Sequence, residues 1–247
     1  MRIMRRETVV PMITLIDNPI PFSEQCSAQA CRFDIDALKQ GDLQQIQRQW
    51  RVELPEKMHD AVDKRKAEFI AGRHCAALAL NRISPELAQG RIGIGDKREP
   101  LWPAGVCGAI THSHGFAAAV VADAATLRGI GIDSEQYVTQ KTADNVASHI
   151  LTQAERFEDN REMVTTGIEY LTLVFSAKES IFKCLYPLVQ QYFDFQDAVI
   201  QLDPTNRGHF RFELRKDLNP EFGHGFAGQG QFRLDDEFVH TSVALKA

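Results

Sequence analysis

Two acids stand one residue apart in the stretch GIGIDSEQY, residues 129–137, where Asp133 and Glu135 follow a run that reads as a buried strand. Side chains alternate faces along a strand, so both carboxylates share a face with Gly131 while Ile130, Ile132 and Ser134 take the other. Like charges at that spacing raise each other's proton affinity unless water or a cation lies between them. The face is therefore either solvated or built to meet something positive. A second stretch, FSAKESIFKCLYP at 175–187, sets Glu179 and Lys183 four apart on one side of a helix, with Val174, Ala177, Ile181 and Leu185 as an apolar stripe on the opposite side. Alone, such a pair is also what a solvated helix carries, worth about 0.2–0.5 kcal/mol. Together the two stretches can bring three carboxylates to one hard cation, with Lys178 and Lys183 left for phosphate oxygens. Magnesium suits that set, since it takes few carboxylates and fills its octahedron with water and substrate phosphate.

The elements that must position these residues alternate irregularly. Residues 8–16 read as an early strand, and 54–83 has helical spacing that exits at Asn81–Pro85. Turn residues dominate 95–105, followed by strands at 106–111 and 116–122 joined by HSHG, and by the acidic strand at 129–135. A long helical region is expected from about 144 to 188, then strands at 195–202, 209–214, 230–234 and 239–245. Hairpins mixed with helices predict an α+β fold rather than strict β-α-β alternation. The loop-like DAATLRG, 123–129, divides the chain into an N-terminal half, 1–128, and a C-terminal half, 129–247.

With 247 residues, 44 % of them hydrophobic, the chain can build a substantial core. Its net charge of −5 argues against a nucleic-acid binder relying on a broad basic face, so any anion site must be local. Five scattered cysteines without a C-x-x-C pair predict reduced thiols in a cytoplasmic protein. The opening resembles a signal peptide until Pro11 and Asp17 interrupt it, and no run approaches the roughly 18 apolar residues of a membrane span. Arg65 and Arg73, about two helical turns apart, can line one side of a helix as a phosphate clamp or sit on a solvated face. His112 and His114 form an H-x-H with no third metal ligand nearby, so His114 reads as a turn residue. Tyr186, Leu188, Tyr192 and Phe193 fit core packing, with an apolar lip for a partner helix as the alternative.

GIGIDSE followed by FSAKESIFK resembles the paired signature of the 4′-phosphopantetheinyl transferases of the larger, surfactin- and enterobactin-type class. The stretches KRKAEFIAGRHCA (64–76), GDKREPLWP (95–103) and AITHS (109–113) extend the similarity over about 64–190. That resemblance implies two similar halves in pseudo-twofold arrangement with coenzyme A between them, and transfer of the phosphopantetheine arm to a serine of an apo acyl or peptidyl carrier protein. It implies Asp133, Glu135 and Glu179 as ligands to Mg²⁺, with Mn²⁺ as a substitute. Glu179, directly or through a metal-bound water, becomes the base, and Lys183 the group that binds the diphosphate and assists its departure by donating a proton or stabilising its charge. Arg65, Arg73, Lys97, His112, Ser113 and Lys178 become coenzyme A contacts. The enzyme is expected to be a monomer with neither nucleic-acid nor membrane partners. Rival readings are a metal-dependent phosphodiesterase or nuclease, which also needs clustered acids and a lysine, and a carrier-binding module without chemistry.

Overall fold

The computed structural model describes residues 12–22, 24–36, 43–88, 92–156 and 162–247. Its elements are β1 (Ile13–Ile16), β2 (Ser27–Phe33), α1 (Leu43–Trp50), α2 (Asp63–Ile83), α3 (Pro85–Ala88), β3 (Gly93–Ile94) and β4 (Pro100–Leu101). Then follow β5 (Val106–Ser113), β6 (Phe116–Asp123), β7 (Leu127–Gln136), α4 (Gln140–Ile150), α5 (Gly167–Val189), β8 (Ala198–Leu202), β9 (His209–Leu214), β10 (Ala227–Leu234) and β11 (Phe238–Lys246). Two antiparallel sheets result, ordered β1-β2-β6-β5 and β7-β11-β10-β9-β8, with β3 and β4 as a separate ribbon. α2 lies on β2 and β6, α5 lies on β7 and β11, and the α+β class holds.

The sheets meet where edge strand β5 runs beside edge strand β7. β6 is buried from Phe116 to Ala122 because small residues let α2 close on one side while a second core forms on the other. That second core joins Phe116, Ala118 and Val120 to Ile130, Ile132 and Phe238, so the apolar face of β7 glues one sheet to the other. The opposite face of β7 meets α5. A Cβ at Gly131 would overlap the Ser180 carbonyl oxygen, so only glycine lets the helix lie this close to the strand carrying the acids. The turn between β5 and β6 is His114–Gly115, with φ of 44° and 78°, the left-handed pair that a two-residue hairpin requires.

Several boundaries differ from the sequence expectation. The helix expected over 54–83 starts at Asp63, after a short 3-10 turn at Glu56–Met58. The region 144–188 is two helices, because the Thr166 hydroxyl and the Glu169 carboxylate close a capping box that starts α5 afresh. The stretch between the early strand and residue 54, to which the sequence assigns no element, contains β2 and α1, and the turn region holds β4. The early strand is observed at Ile13–Ile16, and residues 8–11 of that expectation lie outside the described residues. β8 starts at Ala198, after a 3-10 turn over Phe195–Asp197.

Candidate active site

β7 delivers Asp133 and Glu135, and α5 delivers Glu179 and Lys183, to one cleft of about 440 Å³. The apolar stripe Val174, Ala177, Ile181 and Leu185 is buried against the second sheet, which turns Glu179 and Lys183 toward the cleft. Asp133 is 2 % exposed. Its Oδ1 accepts from Lys183 Nζ at 2.6 Å and from Thr111 Oγ1 at 3.2 Å, while its buried Oδ2 has no hydrogen-bond partner. Glu135 Oε2 accepts from Ser113 Oγ at 2.9 Å.

The facing wall comes from β5, α2 and the turn between β3 and β4. Arg65, Lys97, Arg98, Glu99 and His112 line it, and Phe182 and Tyr186 close the α5 side. Arg65 Nη1 lies 3.0 Å from His112 Nε2. A guanidinium can only donate, so Nε2 accepts and the ring proton sits on Nδ1, which points toward Glu68 Oε2 at 3.6 Å.

The electrostatics follow from this crowding. Burial, then Asp133 and Glu179, push the Glu135 carboxyl up to about 7 against the pull of Ser113 and Lys183. Burial also raises Glu179, aided by Asp133 and opposed by Lys183. Burial pulls Lys183 down, but Asp133 and Glu179 outweigh it and the net shift is upward. His112 falls to about 4 through burial, Arg65 and Lys183. Acids that repel one another around a buried, unpartnered carboxylate oxygen are a hard-oxygen set that a divalent cation would relieve. Among the described residues no group of three or more His, Cys, Asp or Glu side chains stands ready to hold a metal ion, because Lys183 holds the place beside Asp133 Oδ1.

Three expected contacts are not brought into the cleft. Lys178 is 2 % exposed at its side chain and bonds Glu155 Oε2, the Ile150 carbonyl and the Phe195 carbonyl at 2.7–2.8 Å. It adjoins Glu179 in sequence but leaves α5 in a different direction, toward the segment after α4, which corrects its reading as a phosphate contact. Arg73 is buried under Phe69 with Nη2 on the Gly93 carbonyl, and its Nη1 has no partner. Ser113 turns its hydroxyl to Glu135 rather than outward. Sequence reasoning missed Thr111, Arg98 and Glu99. Thr111 was legible in principle, since it stands two residues before Ser113 on an alternating strand. Phe193 is core, Tyr186 and Leu188 are largely packed, and of the four residues weighed as a lip only Tyr192 is strongly exposed.

The family model for the 4′-phosphopantetheinyl transferase N-terminal domain matches residues 54–122, and that for the 4′-phosphopantetheinyl transferase superfamily matches 129–238. The chain is 32 % identical to 4′-phosphopantetheinyl transferase Npt of Nocardia iowensis, over 74 % of this chain and 84 % of that one. It is 34 % identical to 4′-phosphopantetheinyl transferase Svp of Streptomyces mobaraensis, over 76 % and 75 %. Against enterobactin synthase component D of Salmonella typhimurium identity is 36 %, over 67 % and 64 %. This chain belongs to the 4′-phosphopantetheinyl transferase family, and it is an enzyme of that type.

Proposed function

We propose that the enzyme moves the 4′-phosphopantetheine arm of coenzyme A onto a serine hydroxyl of an apo acyl or peptidyl carrier protein, with magnesium or manganese bound, and releases adenosine 3′,5′-bisphosphate. The observation that carries this reading is the convergence of Asp133, Glu135 and Glu179 with Arg65, Lys97, His112 and Lys183 in one cleft. Asp133 through its unpartnered Oδ2, together with Glu135 and Glu179, would hold the cation, leaving positions for water and a substrate phosphate. When bound, the metal supplies charge neutralisation at the diphosphate.

The chain's own residues do the rest. Arg65 and Lys97 bind and orient phosphate oxygens, Arg65 with its planar fork. Neutral His112 stands beside Arg65 and adds a polar contact without adding charge. Glu179 accepts the proton of the carrier serine, and its raised proton affinity suits a base. Lys183, kept protonated by the acids around it, faces the departing bisphosphate and balances its charge. The cleft is walled by two sheets of a single chain, which supports action as a monomer. The cysteines Cys26, Cys31, Cys75, Cys107 and Cys184 are all thiols rather than half-cystines, which supports a reducing, cytoplasmic setting. Among the described residues no helix is long and apolar enough to cross a membrane.

The test is incubation with Mg²⁺, coenzyme A and an apo carrier, read by intact mass. The carrier should gain one phosphopantetheine, chelator should stop the gain and added Mg²⁺ should restore it. Cleavage of nucleic acid with no gain on any carrier would replace this reading with the phosphodiesterase one. Comparing a fatty-acid carrier with a peptidyl carrier under the same conditions identifies the preferred partner.

A further inference from the structure

β5 and β7 belong to different sheets, yet their polar side chains are in step. Thr111 and Ser113 stand two apart on β5, and each gives a hydroxyl bond to one of the two acids that stand two apart on β7: Thr111 to Asp133 and Ser113 to Glu135. The proton directions are fixed by the other partners. Thr111 Oγ1 also receives the Ser134 backbone N–H at 3.1 Å, and an N–H can only donate, so the single hydroxyl proton is free to go to the carboxylate. Ser113 Oγ lies 2.9 Å from His114 Nδ1 and 2.9 Å from Glu135 Oε2; when Glu135 is ionised, as a cation ligand must be, it can only accept, which makes His114 the donor and Glu135 the recipient. Thr111 is 2 % exposed and Ser113 6 %, so neither bond is diluted by water.

Thr111 and Lys183 both fall on Asp133 Oδ1, and Oδ2 is the oxygen left without a partner. The pinned oxygen fixes the carboxylate plane, and the free one then has a defined position in the cleft. From this geometry we infer that Thr111 and Ser113 are positioning residues: the first sheet holds the carboxylates of the second by one oxygen each, and so sets how tightly those carboxylates take a divalent cation. The inference rests on the metal reading above. Hydroxyl partners of this kind act through the ligands they orient, and losing one typically costs about 10–100-fold in metal affinity.

The experiment titrates Mn²⁺ into the full-length protein with coenzyme A present and counts free Mn²⁺ by electron paramagnetic resonance, with thermal unfolding recorded on the same samples. Thr111→Val keeps the shape and removes the hydroxyl; its Mn²⁺ dissociation constant should rise about tenfold or more. Its kcat should return toward the parent value as Mg²⁺ is raised, with KM for coenzyme A little changed. Thr111→Ser, which restores the hydroxyl, should bind Mn²⁺ within about threefold of the parent, and Ser113→Ala gives a second variant at the hairpin end should Thr111→Val fold poorly. A folded Thr111→Val or Ser113→Ala protein that binds Mn²⁺ as tightly as the parent overturns the positioning role and leaves the metal reading intact. Absence of Mn²⁺ binding by the parent protein overturns both.

Discussion

Lys178 and Lys183 leave the same helix five residues apart, and each meets a buried carboxylate, yet the two pairs differ in what they leave over. Around Lys178 nothing is spare. Its ammonium reaches three acceptors, and Glu155 spends Oε1 on the Ile200 N–H and Oε2 on Lys178 and the Thr152 N–H. Around Lys183 the side chain is 27 % exposed, its carboxylate partner keeps one oxygen unpartnered, and two further acids stand close enough to shift one another. A closed pair ties α5 to the segment after α4 and to β8. An open pair with unused valence, beside a cleft, is where a ligand can be taken up. The same residue type in one motif thus serves architecture at one position and chemistry at the next, and only packing tells them apart.

The comparison can be broken most forcefully at Glu179. Glu179→Gln should lower transfer at least about 10²–10⁴-fold, the range for losing a general base, with the unfolding midpoint little changed. Full transfer by that variant would remove Glu179 from the chemistry. Next comes Lys178→Met, which strands Glu155 in the core at a cost of about 3–5 kcal/mol in urea-unfolding stability. Lys183→Met also strands a buried carboxylate, Asp133, but beside the open cleft where water reaches the lysine position, so it should lose turnover with a smaller loss of stability than Lys178→Met. Equal losses of stability in the two variants would erase the distinction drawn here.

A pH series sharpens the open side. His112 stays neutral in the fold down to about 4, whereas in the unfolded chain it takes a proton near 6.5. The unfolded state therefore binds more protons below 6.5, and stability falls as pH drops from there toward 4, by at most about 3 kcal/mol. Replacing it in His112→Gln should flatten that part of the difference curve between variant and parent, measured by urea midpoints from pH 7 to 4. The smallest effect is expected at Lys97, at the cleft mouth. Lys97→Ala should raise KM for coenzyme A about 3–10-fold, on the order of 1 kcal/mol, and leave kcat nearly unchanged.

The chemistry-bearing stretches were legible because they are local. An alternating strand puts Asp133 and Glu135 on one face, and helical spacing puts Glu179 and Lys183 together, whatever the rest of the chain does. The direction of Lys178 was not legible: its neighbour Glu155 lies 23 residues away, in a segment that reads as helix until the Thr166 cap is seen. Ser113 was read as a ligand contact because a serine beside a histidine invites that, and its bond to Glu135 depends on two sheets meeting edge to edge. β2 escaped notice for another reason. Its sequence, SAQACRF, has neither strong alternation nor β-branched residues, and it becomes a strand through pairing with β1 and β6.

The strand that carries Asp133 and Glu135 finds its ladder partner in β11, more than a hundred residues downstream, where Asp133 sits opposite Thr241 and Glu135 opposite Val239. The acids therefore have no ladder partner until residues 238–246 are in place. A polypeptide that lacks that strand holds the reactive side chains without the frame that aims them.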